Sequence, residues 1–285
     1  MNGRREKVVI KEMSNYSAEE LNRILMVSFD VCYASGFIYI SELLISVQEL
    51  HISNLMDRIT DGCAVLRVMA VRLIKSPYLV IYPYINCRSY PDFASQYPSQ
   101  LTSFDKINAS ESIAKTIVDM HSCGILHCNI GARNIFVRRE IIRSNSNDQL
   151  LPEFTFLLGD FRKAVIAKSK SVDPMKPVNL RWLAPEVFKT KCLNSSTDVY
   201  AFGMTLYEIF TGNVPYYTRT AQEIRRKIIA GEYFRPALNK TLNEDLCELM
   251  RKCWLEEASE RPSMKDVWMH LTRIHDSIIE TIISP

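Results

Sequence analysis

The sequence has little glycine and no glycine pattern. Its 285 residues include nine glycines, and no two of them stand as G-x-G. Glycine lets a backbone turn tightly and approach a phosphate closely, so a glycine-built phosphate cradle is not to be found here. Eight cysteines stand at 32, 63, 87, 123, 128, 192, 247 and 253, and none forms a C-x-x-C pair. That argues against zinc ribbons and thioredoxin-type motifs. Scattered cysteines in a chain this size read as reduced, mostly buried thiols in a cytoplasmic setting. An excess of one charge is also lacking. Thirty-five Lys and Arg against 32 Asp and Glu leave +3, too little to argue for nucleic acid or a membrane surface. The longest apolar stretch, Val27 to Val47, is broken by Asp30, Ser35, Ser41 and Glu42. A membrane span wants about 20 apolar residues with few charges. The start, Asn2 to Lys7, is polar and carries no apolar signal segment. Hydrophobic content of 47% is enough for a sizeable core, in one domain or two small ones.

Periodicity gives a coarse map. Residues 5–13 alternate towards a strand around Val8-Val9-Ile10-Lys11. Ser17-Ala18-Glu19-Glu20 reads as a capped helix start. Residues 40–59 carry Leu43, Leu44, Val47, Leu50, Leu55 and Ile59 at helical spacing. Tyr78 to Ile85 reads as a β-branched and aromatic strand running into a proline-marked link. A helix is expected over 106–122, with Ile107, Ile113, Ala114, Ile117 and Met120 on one face. Arg143 to Asp148 reads as an exposed polar loop. Further helices are expected at 198–211, 220–230, 242–254 and 263–280.

Six short segments then follow in order. His127-Cys128-Asn129-Ile130-Gly131-Ala132-Arg133-Asn134 comes first, and Gly159-Asp160-Phe161-Arg162 second. Arg181-Trp182-Leu183-Ala184-Pro185-Glu186-Val187 and Ser196-Thr197-Asp198-Val199-Tyr200-Ala201-Phe202-Gly203 come next. Gly212-Asn213-Val214-Pro215-Tyr216 and the stretch from Cys253-Trp254 to Arg261-Pro262 complete the set. Their order and spacing resemble the protein tyrosine kinase family, in a degenerate, pseudokinase-like form. The resemblance implies a two-lobed, protein-kinase-like α+β fold. Residues 1–85 would form a small β-rich lobe, atypical or truncated, without a recognisable glycine-rich loop. Residues 86–285 would form the large helical lobe. The family places its glycine-rich loop before the strand lysine, whereas only ten residues precede Lys11 and Gly3 is their one glycine.

The resemblance also assigns roles. Lys11 would hold nucleotide phosphates, with Val9, Tyr82, Tyr84 and Phe136 around the adenine, Tyr82 as gatekeeper. Val9 and Phe136 are bulkier than the family's usual residues, so the adenine space is expected to be crowded. Asn134 and Asp160 would be the magnesium ligands, hard oxygen donors of the kind that ion prefers. Asp198 would hold the backbone of the catalytic loop, and Glu186 would pair with Arg261. Arg133 belongs to the catalytic loop. The helix glutamate that pairs with the strand lysine cannot be assigned: Glu20 lies too near Lys11 and Glu49 too far without an insertion.

The departures decide the functional expectation. Asn129 stands where the family has the aspartate that accepts the substrate hydroxyl's proton. A carboxamide oxygen accepts a hydrogen bond but takes no proton near neutral pH. Cys128 replaces the arginine that would grip a phosphorylated activation loop, and the segment from Asp160 to Glu186 contains no tyrosine. Arg162 replaces the glycine of D-F-G and brings a permanent charge beside Asp160; it either competes with magnesium or points to solvent. ATP and Mg²⁺ are implied by the family, with weak or absent binding expected. The leading expectation is a catalytically impaired scaffold or regulator whose partner is a kinase or adaptor protein. The alternatives are a tyrosine kinase with residual phosphoryl transfer and a defective fragment.

Overall fold

The computed structural model describes residues 8–13, 49–56, 64–72, 78–143, 150–171 and 179–283. The smaller part contains an antiparallel sheet of β1 (Val8–Met13), β2 (Ala70–Arg72) and β3 (Tyr78–Pro83) in the order β1-β3-β2. Val9 pairs with Tyr82 and Lys11 with Val80. A helix, α1, covers 49–56, inside the stretch where helical spacing was expected. The helix start expected at Ser17 lies outside the described residues. One face of α1 is fully buried: Glu49, Ile52, Ser53 and Met56. Ser53 Oγ accepts the amide of Val68 at 3.0 Å, which ties the helix to the segment leading into β2.

The same segment joins the two parts of the molecule. Leu66 N–H donates to the Leu158 carbonyl at 2.7 Å, and Leu158 N–H donates to Ala64 at 2.7 Å. Leu158 ends β6 (Leu150–Leu158), which pairs antiparallel with β5 (Ile135–Arg143) along nine residues each. The sequence suggested a plain loop after Arg143, but Arg143 closes a long hairpin strand; 144–149 lie outside the described residues.

The larger part is helical. After α2 (Tyr90–Gln96), α3 (Ser103–Ser122) starts on a capping box in which Thr102 and Asp105 satisfy each other's backbone amides. Gly124, at φ 69°, follows it and turns the chain into β4 (Ile125–Leu126). The short β7 (Val165–Ile166) pairs with β4. Strand β8 (Ser169–Ser171) pairs with β9 (Cys192–Asn194) on either side of the short α4 (Val187–Thr190). Then α5 (Ser195–Thr211) is buried on almost every side, from Thr197 to Ile209, which marks it as the central pillar. Gly203 lets it pass close to another element: a Cβ there would stand 2.6 Å from Cys253 Cβ. Three more helices follow, α6 (Ala221–Ile229), α7 (Glu244–Cys253) and α8 (Met264–Ile283), close to the four helices expected beyond 198. Glu111 of α3 meets α8 through Thr272 Oγ1 at 2.8 Å and His275 Nδ1 at 2.6 Å.

Glu186 and Arg261 form the pair that the resemblance implied. Both oxygens meet the guanidinium at 2.7 Å, and the arginine side chain is wholly buried. It also donates to the carbonyls of Leu255 and Ser196. Removing one partner of such a pair typically costs about 3–5 kcal/mol.

Candidate active site

The loop after β4 is held from below. Asp198, near the start of α5, accepts the backbone amides of His127 at 2.9 Å and Cys128 at 3.0 Å. His121 Nε2 approaches the same carboxylate at 3.1 Å. Two amides aimed at one carboxylate need an unusual backbone, and Cys128 sits at φ 59°. The His127 ring is fully buried and bridges two motifs. Its Nδ1 accepts the amide of Asn129 at 3.2 Å, and its Nε2 lies 3.3 Å from the Gly159 carbonyl. That pattern requires the proton on Nε2. Burial lowers the imidazole pKa, outweighing Asp198 and Asp160, so the neutral ring fits the bonds. Its face also meets Phe161, with ring centroids 5.3 Å apart.

Asn129 is the hub. Its Nδ2 donates to Asp160 Oδ2 at 2.9 Å. Its Oδ1 accepts from Arg133 Nη2 at 3.2 Å and from the Asn179 side-chain amide. Only one orientation of the carboxamide serves these partners, because Asp160 accepts whereas Arg133 and Asn179 donate. Its backbone carbonyl accepts Asn134 Nδ2 at 2.6 Å. Asn134 in turn holds Gly159 N–H on its own carbonyl at 2.9 Å. Every polar atom of Asn129 is therefore committed within the protein.

Asp160, at φ 63°, is also gripped by Arg162. The guanidinium Nε donates to Oδ1, and Nη2 donates to Oδ2 at 3.0 Å. The arginine thus points at the carboxylate rather than into solvent. Both carboxylate oxygens accept from it, and one also takes the Asn129 amide.

The surroundings bring in residues from distant elements. Arg133 stacks over the Trp182 ring at 4.5 Å. Glu208 of α5 is buried and accepts Ala132 N–H at 3.3 Å. Burial pushes its carboxyl up to about 7, against the pull of that amide, Arg133 and Trp182. Tyr82 is buried while Tyr84 is 47% exposed. Burial, and then the neighbouring Glu49 carboxylate, raise the Tyr82 phenol. Glu49, too far along the chain from Lys11 for the usual spacing, is thus brought beside Tyr82 by α1. Phe136 and Leu66 both crowd Gly159: a Cβ there would meet Phe136 Cε2 at 3.0 Å and Leu66 Cβ at 3.1 Å. Lys11 and Val9 are placed by their backbone on β1. On the activation-segment side, Lys170 Nζ donates to the Lys163 carbonyl at 2.7 Å. Burial lowers the Lys170 pKa, with Cys128 among its neighbours.

A family model of protein tyrosine and serine/threonine kinases matches residues 46–271. The chain belongs to the protein kinase family. Its two-lobed α+β architecture follows from that membership. Among its relatives is a probable LIM domain-containing serine/threonine-protein kinase of Dictyostelium discoideum, 26% identical over 62% of this chain and 25% of the relative. The dual specificity protein kinase pyk3 of the same organism is 30% identical over 57% of the chain and 11% of the relative. The tyrosine-protein kinase transforming protein Fps of avian sarcoma virus (strain PRCII) is 26% identical over 74% of the chain and 37% of the relative. The chain therefore spans well under half of these relatives' own lengths.

Kinases use ATP and Mg²⁺, the metal bridging phosphates to the D-F-G aspartate and the catalytic-loop asparagine. By their place in the motifs, Asp160 and Asn134 would be those residues here. Their present arrangement does not fit the ion. The one carboxylate of the pair already carries a two-point guanidinium contact, so Mg²⁺ would have to displace a cation. Among the described residues no group of three or more His, Cys, Asp or Glu side chains offers a metal site. Sequence reasoning did not single out Asn179 or Glu208. Asn179 announces itself only by being an amide just before the Arg181-Trp182 motif. Glu208 announces itself only as a carboxylate within an otherwise apolar helix.

Proposed function

We propose that this chain is a tyrosine-kinase-like pseudokinase that works in the cytoplasm as a scaffold or allosteric regulator of a partner kinase or adaptor. One observation carries the reading: the side chain at the base position donates to Asp160 instead of accepting from a substrate. An aspartate there would accept a hydroxyl proton. Asn129 does the opposite work, steadying the D-F-R carboxylate while Asn179 and Arg133 occupy its only acceptor oxygen. Arg162 supplies the positive charge that a metal would otherwise bring. A site so internally satisfied gains little from nucleotide and metal, and suits a protein whose output is its surface.

The test uses the purified chain, ATP, Mg²⁺ and a tyrosine peptide. No phosphotransfer is expected, and calorimetry is expected to give weak or absent ATP binding that Mg²⁺ does not improve. Turnover at ordinary kinase rates, in a preparation free of contaminating kinases, would overturn the proposal. The second reading is residual phosphoryl transfer. It is favoured by Arg133, whose buried Nη1 meets no acceptor among the described residues and could take a substrate oxygen. A loose transition state also asks little of a base. Slow transfer abolished by Arg133→Ala, with folding intact, would favour it.

A further inference from the structure

A separate cavity of about 200 Å³ lies beside the link that follows β3. Its walls include Asn86, Arg88, Phe93, Gln96, Tyr97 and Arg139. The aromatic side is rigid: Phe93 packs on Tyr97 and on Phe154 with ring centroids 5.4 and 5.3 Å apart. The basic side is fixed by backbone. Asn86 acts as an extra strand residue, accepting Arg139 N–H at 2.9 Å and donating to the Arg139 carbonyl at 2.7 Å. Arg139 lies opposite Phe154 in the hairpin, on the face that carries Val137 and Phe156 into the core. Arg88 holds φ 62°, its carbonyl fixed by Val137 N–H at 2.9 Å.

The cavity has cations without anions. No carboxylate lines it. Among the described residues neither Arg88 nor Arg139 has an ion-pair partner, and the buried Nε–H of Arg139 meets no acceptor. The nearby Asp92 carboxylate takes the Ser89 hydroxyl at 2.6 Å. A guanidinium partly withdrawn from water and left unsatisfied is unfavourable unless something external meets it.

We propose that this cavity binds a phosphoryl group, held by the guanidinium forks of Arg139 and Arg88. Two forks and the Gln96 amide offer more donors than the two oxygens of a carboxylate can use. They match the three oxygens and roughly double charge of a phosphate monoester. The volume is below the ~300–1,000 Å³ of typical small-molecule sites, so the cavity matches a head group better than a whole nucleotide. Its lining shares no residue with Asn129, Asp160 or their partners, and the inference stands whether or not the kinase site is active.

The same chemistry could come from free phosphate or from a phosphorylated side chain, and calorimetry on the full chain separates them. The probes are inorganic phosphate, the peptide Gly-Gly-phosphoserine-Gly-Gly, and the same peptide unphosphorylated. Saturable one-to-one binding of at least one phosphate probe is expected, weakening as salt rises. Tighter binding of the phosphopeptide identifies a side chain as the occupant; equal or tighter binding of inorganic phosphate identifies a small anion. Arg139→Gln and Arg88→Gln should each weaken binding by about tenfold or more, the loss of one charge-assisted contact. Arg88 is exposed, so Arg88→Gln should leave the melting temperature unchanged and keep the test clear of folding defects. No saturable binding, equal binding of the unphosphorylated peptide, or undiminished binding by Arg88→Gln would each overturn the proposal.

Discussion

Restoring the missing aspartate is the obvious experiment, and the structure predicts that it harms the protein before it helps catalysis. Asn129→Asp replaces a donor by a carboxylate oxygen at the position now 2.9 Å from Asp160 Oδ2. Two effects add. A charge-assisted hydrogen bond of about 1.5–3 kcal/mol is removed. Two like charges then face each other, with a repulsion of about 4–6 kcal/mol at 3–4 Å and an effective dielectric of about 20. Arg162 and Arg133 lie close enough to offset part of this. A net loss of roughly 2–4 kcal/mol near pH 8 is therefore expected.

The repulsion has a pH signature. Two carboxyls in one site cannot both ionise cheaply, so one of them should titrate well above the ordinary carboxylate range. Below that value the proton removes the repulsion, and the variant's deficit shrinks. Urea denaturation of wild type and Asn129→Asp at pH 5 and pH 8 reads this directly. The gap between the two proteins should be small at pH 5 and several-fold larger at pH 8. Peptide phosphorylation should remain at background, because Arg162 still covers Asp160. Equal stabilities at both pH values would refute the assigned Asn129–Asp160 bond. Ordinary tyrosine kinase activity from this one change would refute the wider reading, including the crowded adenine space.

Three further outcomes follow from the same geometry. Arg162→Gly should free the Asp160 carboxylate, so millimolar Mg²⁺ should raise the melting temperature of the variant and leave wild type unchanged; no difference between them would show that Arg162 does not block the ion. Glu208, held up to about 7 in the folded chain against about 4.3 in an unfolded one, favours folding fully below the unfolded value and loses that contribution as pH rises through 7. Wild type should thus lose up to about 3 kcal/mol between pH 5 and pH 8 on this account, and Glu208→Gln should lose less by that amount; parallel stability curves would remove the assignment. Gly203→Ala drives a methyl into Cys253, where a Cβ would stand 2.6 Å away, and should lower the unfolding free energy by about 1–3 kcal/mol; a change within about 0.5 kcal/mol in urea denaturation would mean that α5 and α7 move apart freely.

What could be read in the sequence was whatever is contiguous in the chain. The loop from His127 to Asn134 and the turn at Asp160 carry their chemistry within a few residues, so letters and spacing reveal it. The Glu186–Arg261 pair was legible for a related reason, since each member sits in a distinctive local motif. Glu49 was not legible. Thirty-seven residues separate it from Lys11, and only the burial of α1 against the sheet brings it to Tyr82. The long hairpin was missed because its outer strand residues, Ile141, Ile142, Leu150 and Leu151, are exposed and lack the alternation that a half-buried strand shows. The cavity at Arg88 and Arg139 was invisible for the opposite reason: isolated arginines 51 positions apart look like ordinary surface charge.

Asn129 shows most clearly where letters stop and geometry begins. From sequence it is a subtraction, a base replaced by an amide. In the folded chain it is also an addition, because the amide's N–H is a donor that an aspartate at pH 7 does not have. That donor meets Asp160 Oδ2, which Arg162 Nη2 also reaches, and the pair together satisfy a partly buried carboxylate without a metal. The two departures from the family pattern are therefore not independent defects. Arg162 also offsets part of the repulsion that Asn129→Asp creates, so losing both should cost more than the two losses taken separately. The double-mutant cycle of Asn129→Asp and Arg162→Gly, measured by urea denaturation at pH 8 without added Mg²⁺, expresses this as a coupling free energy. A double variant less stable than the sum of the singles predicts is the expected result; strict additivity would separate the two substitutions and leave Asn129 as a simple loss.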